Sequence, residues 1–172
     1  MKFKNNSIIL FLIVFFGACA TQENYLIKNI NFDGYKSLNI DSSNLIIDQK
    51  YNINITHPFI DHLVKQNLIL LLSSWAEARL QPLEVNNPGA LKVIINTASI
   101  KALPIRQNAK IEDLFISNAA VNIEMNLDIT IELLNENGNQ IAYVDVKIFK
   151  SKELADNISL LEKDYIIQEM SK

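Results

Sequence analysis

The two histidines, His57 and His62, are the side chains in this sequence most suited to acid–base chemistry. Asp61 directly precedes His62, and a carboxylate beside an imidazole can orient that ring for proton transfer. Neighbours in sequence do not by themselves form a catalytic geometry, and no second histidine, cysteine or Glu-x-x-His pattern lies at metal-ligand spacing. We therefore expect structural or surface positions for both histidines, no metal site and no cofactor.

The hydroxyl and carboxylate candidates give no stronger indication of catalysis. Ser73 and Ser74 lack the Gly-x-Ser-x-Gly turn that exposes a nucleophile. A hydrolase with paired carboxylates needs them to converge in a cleft. Four acidic residues instead alternate along two strands, on a face expected to be solvated: Glu124, Asp128, Glu132 and Asp145. We predict a non-enzymatic protein with no catalytic residue; an enzyme would need His57 or His62 buried beside a carboxylate in a cleft.

The single cysteine, Cys19, closes an N-terminal stretch of distinctive order. Lys2 and Lys4 make a basic start, and an unbroken apolar run from Ile8 to Phe16 follows. This order is typical of a secretory signal peptide, and the run is shorter than the roughly 20 residues of a membrane span. The alternatives are an ordinary signal peptide with an incidental cysteine, or an uncleaved anchor.

The small residues before Cys19 resemble a bacterial lipobox, here Phe16-Gly17-Ala18-Cys19. The resemblance implies that Cys19 is acylated, for example with palmitate, and becomes the first residue of the mature chain. Ala20 after the cysteine then favours the outer membrane, with the inner membrane as the alternative. Each buried CH₂ contributes about 0.8 kcal/mol, so two or more acyl chains would hold a soluble domain on the bilayer.

Length and composition indicate one ordinary globular domain after this leader. The chain has 172 residues, 49% of them hydrophobic, and a formal charge of −3. A chain of this size buries enough surface to fold without disulfides. Nucleic-acid binding is not expected, because it would require a basic stripe.

Two strands joined by Asn137-Gly138 give the clearest structural prediction. From Val121 to Phe149, apolar and polar residues alternate on both sides of this pair, as in strands with one buried face. Asn-Gly favours a type I′ turn. That turn fixes a register with apolar pairs on one face and polar pairs on the other: Leu133 with Ala142, Ile131 with Val144, Ile129 with Val146, Leu127 with Ile148, Asp128 with Lys147, Thr130 with Asp145, and Glu132 with Tyr143.

The remaining strands and helices are predicted from apolar runs, helix-capping residues and prolines. A strand is predicted from about Asn44 to Tyr51, with Leu38 and Ile40 extending it backwards past a bulge. A helix follows the N-cap Asn67, includes Leu80 and stops before Pro82. A strand spans Leu91 to Leu103, and residues 105–118 form a surface excursion. Ser159 and Glu162 form a capping box for a last helix.

These elements predict an α+β fold in the order β-α-β-β-β-α. Two helices would lie on one face of a mainly antiparallel sheet of about four strands, which gives a two-layer domain. The expected organisation is a signal peptide at 1–18, a lipidated tether at 19–37 and a single domain at 38–172.

Two short motifs are candidate partner contacts. Trp75 and Arg79 lie one helical turn apart; they either pack in the core, with the arginine stem over the ring, or contact a partner. Leu114, Phe115 and Ile116 form an apolar tip in the excursion, either tucked back or exposed. An exposed apolar tip would suit docking of a protein or contact with lipid.

Several short runs resemble a group of small uncharacterised bacterial envelope lipoproteins, over most of residues 30 to 165. They are Leu45-Ile46-Ile47, Pro58, Ile60-Asp61-His62-Leu63, Trp75-Ala76, Arg79-Leu80, Leu103-Pro104, Leu114-Phe115, Ser151 and Ser159-Leu160. The element order alone is similar to that of the lipopolysaccharide-assembly lipoprotein and of auxiliary lipoproteins of envelope transporters. The resemblance to the small envelope lipoproteins implies no catalytic residues in this sequence.

The resulting expectation is a lipid-anchored periplasmic domain that binds or supports another envelope protein. The alternative is a small-molecule or lipid carrier. A closed core between helices and sheet would favour the first, and an apolar pocket of several hundred Å³ would favour the second.

Overall fold

The computed structural model describes residues 29–32, 34–105, 120–155 and 158–172, and these contain six strands and two helices. The predicted signal peptide, Cys19 and the apolar tip Leu114, Phe115 and Ile116 lie outside the described residues. The elements in chain order are β1 (Leu38–Ile40), β2 (Asn44–Gln49), α1 (Leu68–Arg79), β3 (Leu80–Pro82), β4 (Ala90–Pro104), β5 (Val121–Leu134), β6 (Gln140–Leu154) and α2 (Leu160–Met170).

Four of the strands form one sheet in the order β2-β4-β5-β6. β4, β5 and β6 are antiparallel neighbours, whereas β2 runs parallel to β4. Buried residues of both helices belong to one core cluster with alternate residues of β4 and β5, so both helices cover the same face. The α+β prediction, with a mainly antiparallel four-stranded sheet and the order β-α-β-β-β-α, is confirmed. We call the helix-covered face the inner face and the opposite one the outer face.

The register predicted for the β5–β6 hairpin is confirmed at all seven pairs, including Leu127 with Ile148 and Asp128 with Lys147. The predicted type I′ turn is wrong. The Gly138 N–H donates to the Asn135 carbonyl at 2.9 Å, and the Asn135 N–H donates to the Asn139 carbonyl at 2.9 Å. The loop therefore has three residues, with Gly138 at φ 78°, and a bulge next to it absorbs the extra residue.

The two shortest strands, β1 and β3, form a separate parallel pair. Leu38 and Ile40 therefore do not extend β2 backwards as predicted; Leu38 pairs with Leu80, and Ile40 pairs with Pro82. The helix also stops one residue earlier than predicted, at Arg79. Leu80 leaves the helix because its side chain, 4% exposed, enters a second core cluster from an extended backbone.

Both predicted helix caps are present. The Asn67 side chain accepts from the Leu70 N–H at 3.1 Å, and the Ser159 hydroxyl accepts from the Glu162 N–H at 3.2 Å. Each bond satisfies one of the N–H groups that a helix start leaves without an intrahelical partner.

The core lies between the helices and the inner face. Its most enclosed side chains are Ile95, Ile100 and Met125, each fully buried. Ile30 and Phe32, within the predicted tether, also pack against this cluster. The chain is therefore in contact with the core before the first strand begins.

Candidate functional site

The outer face of the sheet carries an open groove of about 570 Å³. We call it the outer groove. The register pairs Ser99 with Asn126 and Asn126 with Phe149, and these positions alternate with core residues such as Ile100 and Met125. Their side chains therefore point away from the helices. The complete lining is Tyr51, Phe59, Thr97, Ser99, Lys101, Asn126, Leu127, Asp128, Lys147, Ile148 and Phe149.

One wall of the outer groove is built by Phe59, which the backbone holds beside β4. The Ile60 N–H donates to the Ile100 carbonyl, and the Ala102 N–H donates to the Pro58 carbonyl, both at 2.9 Å. These bonds place Phe59 opposite Lys101. The Lys101 ammonium lies 5.1 Å from the centroid of the Phe59 ring, within cation–π range.

Phe149 and Lys147 of β6 form the opposite wall. Phe149 lies on the polar outer face of the sheet and is 61% exposed. Lys147 contacts Asp128 at 3.3 Å. The Asn96 amide donates to Asp128 at 3.3 Å and to the Thr130 hydroxyl at 2.9 Å. Asp128 thus pairs with an ammonium group and an amide.

Tyr51 lines the groove at the end of β2, and Asp61 fixes it there. The Tyr51 hydroxyl donates to Asp61 Oδ2 at 2.5 Å, and the Ile100 N–H donates to Asp61 Oδ1. Burial, followed by the neighbouring Asp61 carboxylate, raises the pKa of Tyr51. Asp61 therefore holds the segment before α1 on the sheet.

The side chains of His57 and His62 are exposed. This agrees with the surface positions predicted for the histidines.

The groove offers recognition chemistry rather than a nucleophile. Three aromatic rings, two ammonium groups and the Asn126 amide line one open space. Within the described part of the chain, no three histidine, cysteine or acidic residues are grouped as a metal site would require. Such a surface can bind an apolar side chain beside a carboxylate or backbone carbonyl of another molecule.

β6 borders the groove and is one of the two edge strands of the sheet formed by the described residues. Nearly all of its side chains are exposed, on both faces. The large apolar ones are between 39% and 64% exposed: Ile141, Tyr143, Val144, Ile148 and Phe149. Soluble proteins usually keep their edge strands short, place charged side chains on them, or cover them with a helix or loop. An uncovered apolar edge indicates an interaction surface.

A smaller, largely apolar cavity of about 150 Å³ lies between α2, the segment before α1 and the inner face. Lys163 and Asp164 are among the residues that line this cavity. Burial raises the pKa of Asp164, and Lys65, 3.9 Å away, opposes this rise; burial also lowers the pKa of Lys163. Pockets for drug-sized ligands hold roughly 300–1,000 Å³, so this cavity does not favour the carrier alternative.

Trp75 and Arg79, the predicted helical contact pair, do not line the outer groove. Trp75 packs against both core clusters. The Arg79 guanidinium lies 5.2 Å from the centroid of the Tyr35 ring. Arg79 Nε is buried without a hydrogen-bond partner among the described residues. Contact of this pair with a partner stays a prediction, as does that of Leu114, Phe115 and Ile116, which lie outside the described residues.

Sequence reasoning did not identify Phe59, Lys101 or Phe149 as site residues. A signal was present for Phe149, because the predicted register puts it on the hairpin's polar face, where a large apolar residue is unusual. Phe59 gave no such signal, because its position depends on pairing with β4.

None of the helices in the described ranges is long and apolar enough to cross a bilayer. No protein-family model matches the sequence, and no curated protein is significantly similar to it.

Solved structures with some similarity include three bacterial proteins. Rare lipoprotein B from Shewanella oneidensis has 13% identity and a TM-score of 0.37, covering 74% of this chain and 84% of that one. A minor lipoprotein from Acinetobacter baumannii has 11% identity and a TM-score of 0.34, covering 75% and 87%. A neuraminyllactose-binding hemagglutinin homologue from Helicobacter pylori has 13% identity and a TM-score of 0.31, covering 86% and 87%. Similarity at this level does not establish a shared function.

Proposed function

We propose that this protein is a lipid-anchored, non-enzymatic domain of the bacterial cell envelope that binds another envelope protein through the outer groove. Its anchor would be Cys19, and it would face the periplasm from the outer membrane. The observation that carries the proposal is the outer groove itself, with the half-buried ring of Phe59 and the exposed ring of Phe149 on opposite walls and the ammonium groups of Lys101 and Lys147 in the same lining.

The composition of the groove favours a protein partner. Aromatic side chains in a polar surround are the usual centre of a protein–protein contact, because they bury a large area at low entropic cost. Lys101 lies over the Phe59 ring, and Lys147 lines the groove together with Phe149. An acidic or carbonyl-rich segment with one or two apolar side chains would match this surface. The groove is open along the sheet, which suits an extended segment.

Site-specific photo-crosslinking in intact cells tests this proposal. The full chain carries a photoreactive phenylalanine analogue at Phe149, inside the groove, or at Leu70, which is 65% exposed on α1. We expect position 149 to give a discrete adduct with a protein other than a second copy of this chain, and position 70 to give none of that size. Adducts of position 149 with lipid alone, or the same protein adducts from both positions, would contradict the proposal.

A pair of matched variants makes the test quantitative. Phe149→Ser removes a groove wall, whereas Ile141→Ser removes a comparably exposed apolar side chain from the same strand, outside the groove lining. Truncating a central aromatic contact typically costs 2 kcal/mol or more, about thirtyfold in affinity. Recovery of the partner should fall strongly for Phe149→Ser and stay near wild type for Ile141→Ser; equal losses would count against the groove.

A further inference from the structure

We infer that β6, along the edge where no other described strand pairs with it, pairs antiparallel with β6 of a second copy of this chain. In the register that we propose, Val146 of one copy lies directly opposite Val146 of the other. The two four-stranded sheets would then form one continuous sheet. This inference goes beyond the proposed function, because it concerns the backbone edge of the strand and leaves the outer face open.

The helix layer restricts how two copies can pair. Antiparallel partners place opposed side chains on the same face of the joined sheet. With both helix layers on one side, each inner-face residue of β6 must oppose another inner-face residue. Val144, Val146 and Ile148 are inner-face residues, since they pair with Ile131, Ile129 and Leu127 of β5. Only registers centred on a residue, rather than between two residues, meet this condition.

The charges of Asp145 and Lys147 favour one of these registers over the others. With Val146 opposite its own copy, Asp145 of each chain faces Lys147 of the other, so the two-fold axis produces this attractive pair twice. On the inner face, Val144 faces Ile148, and on the outer face Tyr143 faces Phe149. Opposite charges and aromatic pairs both stabilise directly opposed positions in antiparallel strands.

The neighbouring registers lack this match. Moving the centre to Asp145 or to Lys147 opposes two like charges at the axis. Moving it to Val144 places Asp145 opposite Tyr143, and moving it to Ile148 places Lys147 opposite Phe149. Neither of these two registers sets the Asp145 carboxylate or the Lys147 ammonium opposite a group of the other charge, so the attractive pairs are lost. The register centred on Val146 is therefore the one that the sequence of β6 favours.

The existing contacts of β6 are compatible with this pairing. Lys147 already contacts Asp128 of β5 at 3.3 Å, yet its side chain is 74% exposed, so its ammonium can also reach a carboxylate on the free side. Asp145 accepts from the Thr130 hydroxyl at 2.6 Å, which leaves acceptor capacity on a group with two oxygens. In the dimer, each lysine would lie between two carboxylates. Tyr143 of the second copy would extend the Phe149 wall of the outer groove.

Disulfide trapping tests the register. Full-length chain carrying Cys19→Ala, so that the introduced thiol is the only one, is purified in detergent and oxidised. Val146→Cys should give a covalent dimer, because the two Cα atoms would lie about 4.5–5.5 Å apart. Val144→Cys alone should give none, whereas Val144→Cys mixed with Ile148→Cys should. No dimer from Val146→Cys, or equal dimer from Val144→Cys alone, would overturn the inference.

Charge reversal tests the same register without a covalent bond. Lys147→Asp should weaken the dimer about tenfold, because it turns two attractive pairs into two repulsive ones. The double variant Asp145→Lys with Lys147→Asp should restore it, which a folding defect from losing the Asp128 contact would not allow. Molecular mass against concentration by sedimentation measures both, with circular dichroism as the control for folding. Failure of the double variant to recover the dimer would contradict the register.

Discussion

Asp41 shows how a single carboxylate organises a loop in this protein. Its Oδ1 accepts from the backbone N–H groups of Val85, Asn86 and Asn87, at 2.9, 3.0 and 3.1 Å. These bonds, led by the one from Asn86, lower the pKa of Asp41 below its ordinary value of 3.8. The residue after β1 therefore holds the loop that leads from β3 into β4, and it does so most strongly while it is ionised.

The pH dependence of Asp41→Ala tests this role. Because the folded state lowers its pKa, ionised Asp41 stabilises the fold above pH 3.8, and this contribution disappears as the pH falls through the lower folded value. Asp41→Ala should unfold at lower urea concentration than wild type at pH 7, and the gap should narrow below pH 3.8. Glu84→Ala, an exposed carboxylate of the same loop, is the control for charge alone. A gap that widens towards acid would contradict this role.

At the residue scale, the sequence predicts interactions between near neighbours and misses distant ones. The caps at Asn67 and Ser159 were predictable, because a cap and its N–H partner lie three residues apart. Asp41 and Arg79 were not, because their partners, the loop at 85–87 and Tyr35, lie far away along the chain. The pairing of Tyr51 with Asp61 similarly depends on how the segment before α1 crosses β4.

At the element scale, Gly89 joins the start of β4 to the end of β5. A Cβ at this position would lie 2.0 Å from the Leu134 carbonyl oxygen and 2.5 Å from the Asn135 carbonyl carbon. The Asn87 amide donates to the same Leu134 carbonyl at 3.0 Å. The Ser43 N–H also donates to the Gly89 carbonyl at 2.7 Å. Three chain segments therefore meet at a point that has no room for a side chain.

Gly89→Ala should accordingly destabilise the protein. The methyl group would meet backbone atoms, which cannot rotate away, so the expected loss is about 1–3 kcal/mol of unfolding free energy. Gly34→Ala is the matched control, since nothing lies within 4 Å of its added Cβ, and it should stay within about 0.5 kcal/mol of wild type. Chemical denaturation of the two variants measures the difference. Equal stabilities would contradict the prediction, because they would show that the backbone at the β4–β5 junction can move to accommodate the methyl group.

Element prediction succeeded where one hydrophobic pattern decides the structure. Shifting β6 by one residue would put its apolar side chains opposite the charges of β5, so alternation fixed the register even though the turn type was wrong. β1 and β3 have three residues each, too few for a periodic signal, and their pairing joins distant parts of the chain. The parallel pairing of β2 with β4 likewise leaves no local pattern.

At the scale of the whole molecule, the helix layer covers only part of the sheet. Leu91, Val93, Ile95 and Met125 of the central strands are buried, whereas β6 is exposed on both faces almost to its last residue, Leu154. The outer groove and this uncovered edge lie side by side on the same part of the sheet. The two-layer fold could be predicted from the sequence, but this incomplete cover could not, because it depends on where the helices lie across the sheet.

The location of the domain decides which partners it can meet at these surfaces. Lipid attached to Cys19 would confine it to a membrane surface, where binding to envelope proteins is favoured by proximity. Metabolic labelling with a palmitate analogue, comparing wild type with Cys19→Ala, tests this central claim most directly. We predict that wild type carries the label and that Cys19→Ala does not. Wild-type protein without label, found with its leader intact in the cytoplasm, would contradict the account.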